Sequence, residues 1–215
     1  MITFIGDVHN KYTEYLKIAK NTEYSIQLGD FGTRDEYNKL NYSGLDPGKH
    51  KIIPGNHDNY DTCPQSPYVL MDYGAATVNK LDFFYIRGGL SIDRVYSIGE
   101  ELGGSPKKYW SQEELNLDEM LNCMDLYRDM KPDVVASHVP PGIFTDFMTA
   151  KNNSILQKYK FHHGYQENTM RLGNRLLKIH KPKLWICGHM HANVKKDIDG
   201  TIFICLKELG TFNYE

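Results

Sequence analysis

The sequence predicts an α/β fold in layers. Short apolar runs recur along the chain, segments of helical character separate several of them, and five runs lead into polar clusters, four of which glycine opens. The runs ITFI (2–5), YSIQL (24–28), HKIIP (50–54), FFYIRGG (83–89), DVVAS (133–137) and KLWIC (183–187) are short and bounded by turn residues, as buried strands are. Segments 11–20, 112–130 and 166–180 read as helices. Ser111 and Glu114 in SQEE have capping-box spacing, so the longest helix is expected to open there. NVKKDIDGTIFICL (193–206) reads as a hairpin turning at Asp199-Gly200, a dipeptide suited to positive φ, so antiparallel strands are expected to end the sheet. Segment 140–165 is the least regular, and a loop of that length usually carries function or moves.

A chain of 215 residues suits one domain, 1–215, with a sizeable core. Twenty-five basic against 27 acidic residues leave a net charge of -2, which excludes an overall field that would gather DNA, RNA or an anionic membrane. A local basic patch is still open. No apolar stretch approaches the roughly 18 residues of a membrane span, and Met1 runs directly into ITFI without a basic leader. Cys63, Cys123, Cys187 and Cys205 show neither CxxC spacing nor the density of a disulfide framework, and read as reduced core thiols. The expectation is a soluble, cytoplasmic protein without a membrane partner.

What the strands run into carries the chemistry. The five clusters are Gly6-Asp7-Val8-His9, Gly29-Asp30, Gly55-Asn56-His57-Asp58, Ser137-His138 and Gly188-His189-Met190-His191. In open α/β sheets ligands gather outside the carboxyl ends of the strands, so clusters 180 residues apart in sequence would meet at one edge. Asp7, Asp30, His9, His138, His189, His191 and the amide oxygen of Asn56 make seven candidate ligands. They are too many for one tetrahedral ion but suit two ions about 3.5 to 4 Å apart sharing a carboxylate. Oxygen and nitrogen donors without thiolate favour Mn, Fe, Zn, Co or Ni. His57, one residue past a ligand, can act on a leaving-group oxygen as a general acid or stabilise charge, and Asp58 is expected to hold its ring in one tautomer.

The ordered blocks Asp-x-His, Gly-Asp, Gly-Asn-His-Asp, His and Gly-His-x-His, from Asp7 to His191, resemble the calcineurin-like metallophosphoesterase superfamily. The resemblance implies a four-layer αββα sandwich of two mixed β-sheets flanked by helices, with a dimetal site at the strand C-terminal ends. It implies that Asp7, His9 and His191 hold one metal, that Asn56, His138 and His189 hold the other, and that Asp30 bridges them. His57 would be the catalytic histidine and Asp58 its orienting partner. The implied chemistry is hydrolysis of a phosphomonoester or phosphodiester by hydroxide held between two divalent metals, Mn first among them and Fe, Zn, Ni or Co the alternatives.

Two departures narrow this. Phe31, Gly32 and Thr33 follow Asp30, so the second acid of a Gly-Asp-x-x-Asp block is missing. Pro54 precedes Gly-Asn-His and Asp58 follows it, where the family's phosphoprotein phosphatases carry Arg and Glu, which argues against a dedicated protein phosphatase. Arg34 has the offset from Asp30 of a phosphate-binding arginine in those enzymes, and Arg34 and Arg94 are the candidate contacts to a substrate phosphate. A small phosphate ester is the expected substrate, with nucleic acid or a phosphoprotein as alternatives. Near-neutral charge counts against a nuclease. A non-enzymatic scaffold of the same fold characteristically loses ligands or the catalytic histidine, and this chain keeps both.

The remaining singled-out residues have plainer readings. His162 and His163 read as ordinary loop residues, with a substrate entrance as the alternative. His50 and His180, beside basic residues, read as solvated surface groups. Lys107-Lys108-Tyr109-Trp110 reads as a lysine pair with a docked aromatic, with nucleobase stacking as the alternative.

Overall fold

The computed structural model describes residues 1–151 and 166–215. In chain order its strands are β1 (Ile2–Ile5), β2 (Ser25–Gln27), β3 (His50–Ile52), β4 (Tyr73–Val78), β5 (Leu81–Ile86), β6 (Val134–Ser137), β7 (Leu184–Cys187), β8 (Val194–Ile198), β9 (Thr201–Cys205) and β10 (Thr211–Tyr214). Each of the six expected runs falls on a strand, with β5 beginning two residues before its run. They form two sheets, ordered β10-β1-β2-β3 and β4-β5-β6-β7-β9-β8. In the first, β1, β2 and β3 are parallel and β10 is antiparallel to β1. In the second, β5, β6, β7 and β9 run parallel, with β4 and β8 antiparallel at the edges. The predicted hairpin joins β8 to β9, with Asp199 and Gly200 at φ 53° and 87°.

Alternation along the strands builds the layers, because successive side chains point to opposite faces. Phe4, Ile26 and Leu28 from the first sheet meet Phe83, Ala136, Ile186 and Ile204 from the second. Each such large apolar side chain contributes roughly 1.5–3 kcal/mol when fully buried. The opposite face of the first sheet carries Ile5 and Ile52, covered by Tyr15 and Ala19 of α1 (Tyr12–Lys20) and by Tyr37 and Leu40 of α2 (Glu36–Leu40). Phe31 lies among them, edge-on to Tyr15 at 4.9 Å. Further along the chain come α3 (Arg94–Leu102), α4 (Leu117–Met130), α5 (Gly142–Lys151) and α6 (Asn168–Ile179). The outer face of the second sheet presents Phe84, Trp185 and Phe203 to Tyr127 of α4, Phe144 of α5 and Leu176 of α6. The expected αββα order is the one found.

Several local readings need correction. The longest helix opens at Asn116, whose side chain accepts the Glu119 amide while Glu119 accepts the Asn116 amide, and Ser111–Glu113 is a separate 3-10 turn. The capping box therefore sits five residues later than predicted. His50 is buried inside β3, hydrogen-bonded to Ser25 Oγ at 2.9 Å, because the adjacent lysines alternate to the other face. His180 is half-buried against the Pro132 carbonyl at 3.1 Å. Part of the irregular segment is α5, while His162 and His163 lie outside the described residues. All four cysteines are buried and free. No helix among the described residues is long and apolar enough to cross a membrane.

Candidate metal centre

Parallel strands within each sheet end on the same side, so the turns after β1, β2, β3, β6 and β7 meet there. Four of the candidate ligands on these turns take left-handed backbone conformations: His9 (φ 47°), Asp30 (54°), His189 (67°) and His191 (49°). Such a conformation costs a non-glycine residue about 1 kcal/mol or more, and it persists where surrounding contacts fix it. Here the Asp30 carbonyl accepts the amides of both Val8 and His9, at 3.1 and 2.7 Å, which locks two ligand turns together. A side chain at Gly55 would overlap the Asp30 carboxylate, and one at Gly188 would overlap that of Asp7.

The seven predicted ligands come together in two sets. In the inner set, His138 Nδ1 donates to the Leu28 carbonyl (2.7 Å) in a neutral ring, so its Nε2 is a bare lone pair. That nitrogen lies 3.0 Å from Asn56 Oδ1 and 3.2 Å from His189 Nδ1, which is itself 3.0 Å from the same amide oxygen. Burial lowers the pKa of both His138 and His189, favouring the neutral form that ligates. Three electron-pair donors thus converge.

In the outer set, Asp7 Oδ2 is buried without a hydrogen-bond partner and lies 3.2 Å from His191 Nε2. The other carboxylate oxygen accepts the His189 amide at 3.0 Å. His9 Nε2 faces His191 Nε2 at 2.9 Å. Asp30 joins the sets, with Oδ1 3.3 Å from His138 Nε2 and Oδ2 3.6 Å from His9 Nε2. Burial and the nearby Asp30 charge push the Asp7 carboxyl well above its usual range. An unpartnered buried carboxylate oxygen, facing imidazole nitrogens and two crowded carboxylates call for positive charge between them. Asp7, His9, Asp30 and His191 form one metal-competent cluster and Asp30, His138 and His189 a second, so the residues fit the implied pair of cations.

The other predicted site residues separate. His57 is half-exposed beside the outer set, its ring 5.8 Å from that of His9 and its amide donating to Asp30 Oδ1 at 2.8 Å. No hydrogen bond reaches its ring nitrogens among the described residues. Asp58 does not orient that ring: its two oxygens accept the amides of Gly32 (2.7 Å) and Gly55 (2.6 Å), bracing the loops that carry Asp30 and His57. The turn after β3 points its side chain back into the protein, where burial and Asp30 raise its pKa to about 7. Arg34 is exposed on the rim of the cleft. Arg94 is not brought to the centre: it opens α3 and faces Glu114 at 3.7 Å.

Sequence reading missed the residues behind the ligands. Asn56 Nδ2 donates to Ser91 Oγ (3.2 Å), which donates to Glu113 Oε2 (2.9 Å), and this chain turns the amide oxygen toward the histidines. Gln27 bridges the turns after β1 and β2 by donating to the carbonyls of Gly29 and Gly6. Glu167 is buried, accepts the Leu90 amide at 2.6 Å and leaves Oε1 unpartnered, and burial pushes its pKa to about 8. Acids buried beyond the strand-end motifs carry no local signal except an apolar setting.

Two hollows meet at the centre and share His9 and His57. One, of about 220 Å³, runs from the ligands to Leu90, Ile92 and Met190. The other, of about 480 Å³, is walled by Asn10, Thr33, Arg34, Ser105, Lys107 and Lys108.

Residues 1–193 match the family model of the calcineurin-like phosphoesterases. The chain is 26% identical to a lariat debranching enzyme of Entamoeba histolytica, over 99% of this chain and 70% of that protein. Among solved structures it resembles a Staphylococcus aureus protein provisionally assigned as a 5′-nucleotidase, with TM-score 0.53 and 14% identity over 97% of this chain and 49% of the other. The chain thus spans about half the length of that structure. A phosphopantetheinyl hydrolase from Mycobacterium tuberculosis matches with TM-score 0.46 and 16% identity, over 96% of this chain and 89% of the other.

Proposed function

Since the chain belongs to the calcineurin-like phosphoesterase family and is a hydrolase of phosphate esters, we propose that it cleaves a phosphodiester at a two-metal centre. The observation that carries this reading is the pair of hollows opening from the ligands on either side of His9 and His57. A phosphorus held between them has room for a substituent on each side, whereas a monoester would fill one.

Asp7, His9 and His191 would hold one cation and Asn56, His138 and His189 the other, with one oxygen of Asp30 toward each set. Mn is the first candidate for this oxygen and nitrogen donor set. Cations there supply Lewis acidity toward water and neutralise charge on the phosphoryl oxygens. The chain supplies the rest. His57, whose ring nitrogens make no hydrogen bond among the described residues, gives a proton to the departing oxygen. Asp58 braces the loops that carry Asp30 and His57, and Arg34 on the rim is placed for a phosphate group of the substrate.

The test is to strip the protein with chelator, restore it in turn with Mn, Ni, Zn and Mg, and compare bis(p-nitrophenyl) phosphate with p-nitrophenyl phosphate. Metal-dependent turnover with higher kcat/KM for the diester is expected. Turnover of the monoester alone would remove the diester reading, and turnover indifferent to metal would remove the centre.

A further inference from the structure

The larger hollow is more than room for a substituent. No carboxylate lines it, while Arg34, Lys107 and Lys108 do, in a chain whose net charge is only -2. The Arg34 backbone is held by its amide donating to Glu36 Oε2 (3.0 Å) and its carbonyl accepting from Asn59 Nδ2 (3.3 Å), yet its guanidinium makes no hydrogen bond or ion pair among the described residues. Lys107 and Lys108 pair outward with Asp61 and Glu100, each at 3.0 Å. The Lys107 ammonium also lies over the buried Trp110 ring at 5.1 Å, which holds it at the rim. Exposed pairs of this kind contribute little to stability, so a phosphate competes with them at low cost. The opposite hollow presents apolar Leu90, Ile92 and Met190, with Asp93 beside them.

We infer that the basic hollow is a subsite for a second phosphate of the same substrate, so that the substrate class is a nucleotide-type diester bearing a further phosphate beside the one cleaved. The guanidinium fork suits two oxygens of that group and the lysines act as point charges. Hydroxyls of Thr33 and Ser105 on the wall are neutral donors. A base or other flat ring fits against the apolar side. This inference rests on the diester reading.

The test uses the full chain loaded with metal. One arm compares kcat/KM for the p-nitrophenyl ester of thymidine 5′-phosphate with and without a 3′-phosphate. The other compares binding of thymidine 3′,5′-bisphosphate and thymidine 5′-monophosphate by calorimetry. The second phosphate is expected to raise both kcat/KM and affinity about tenfold or more, as charge-assisted hydrogen bonds do. That ratio should fall toward one when Arg34→Gln, Lys107→Gln and Lys108→Gln are combined, and should survive Lys107→Arg. A ratio near one in the unaltered protein, or an undiminished ratio in the triple variant, overturns the subsite. Equal turnover and equal binding of both compounds would sink the subsite and leave the esterase standing. A binding preference lost in the triple variant, with neither ester turned over, would do the reverse.

Discussion

The inner and outer donor sets flank the same carboxylate, yet the protein holds them differently. His138 is fully buried and tied to the Leu28 carbonyl, and Asn56 is aimed by Ser91 and Glu113. His9 and His191, by contrast, have side chains 25% exposed and face the cleft. The inner set is therefore built before an ion arrives, while the outer set stays open to solvent and substrate. If the two sets hold the proposed cations, the inner one is expected to be held more tightly, because its ligands would lose less freedom on binding.

The largest effect should come from Asp30, which belongs to both halves. Asp30→Asn is expected to abolish turnover and strip both ions, read by elemental analysis of the purified protein. One ion retained at full occupancy would mean that Asp30 serves a single set. Next, His57→Asn should slow turnover by roughly 10² to 10⁴-fold while both ions stay, if this ring, which lines both hollows, is the proton donor proposed above. Metal loss in that variant would make His57 a ligand. Ser91→Ala frees the Asn56 amide to rotate, and should weaken the inner ion by roughly 10 to 100-fold with little effect on the outer one. A chelator titration resolves the two steps, and an equal weakening of both would erase the proposed difference.

The smallest effect concerns Glu167, behind the inner set. Its folded pKa, about 8, exceeds the ordinary 4.5, so the folded protein binds this proton more tightly than the unfolded chain. Stability from this group is fully present below pH 4.5 and is lost as pH rises through 8. Relative to Glu167→Gln, the metal-loaded wild-type protein should therefore lose a few degrees of Tm between pH 5 and 8. A constant difference would show that Glu167 is not the group titrating.

The convergence of the outer and inner donor sets was legible because each residue follows a strand, and strand ends in parallel sheets share an edge. What lay behind them was not. Asp58 next to His57 suggested a partnership, but adjacent side chains on a tight turn diverge, and its oxygens reach amides on two loops instead. SQEE and NLDE both have the spacing of a capping box, and only the packing of α4 decides for Asn116. His50 between lysines looked solvated until strand pairing put it beside Ser25. Ser91, Glu113 and Glu167 act across distances in sequence that no local pattern reports. Arg94 was a candidate because a guanidinium fork suits a phosphate, and in the fold it faces Glu114 instead.

The contacts of Gly55 with Asp30 and of Gly188 with Asp7 reach beyond the backbone. Both carboxylates of the centre have a missing side chain as their rear wall. In a saturation library selected for metal-dependent turnover, positions 55 and 188 should accept nothing but glycine, and extra metal in the medium would not rescue alanine. Diversity aimed at new substrates belongs instead on the rims at 34, 92 and 107, where the side chains are exposed.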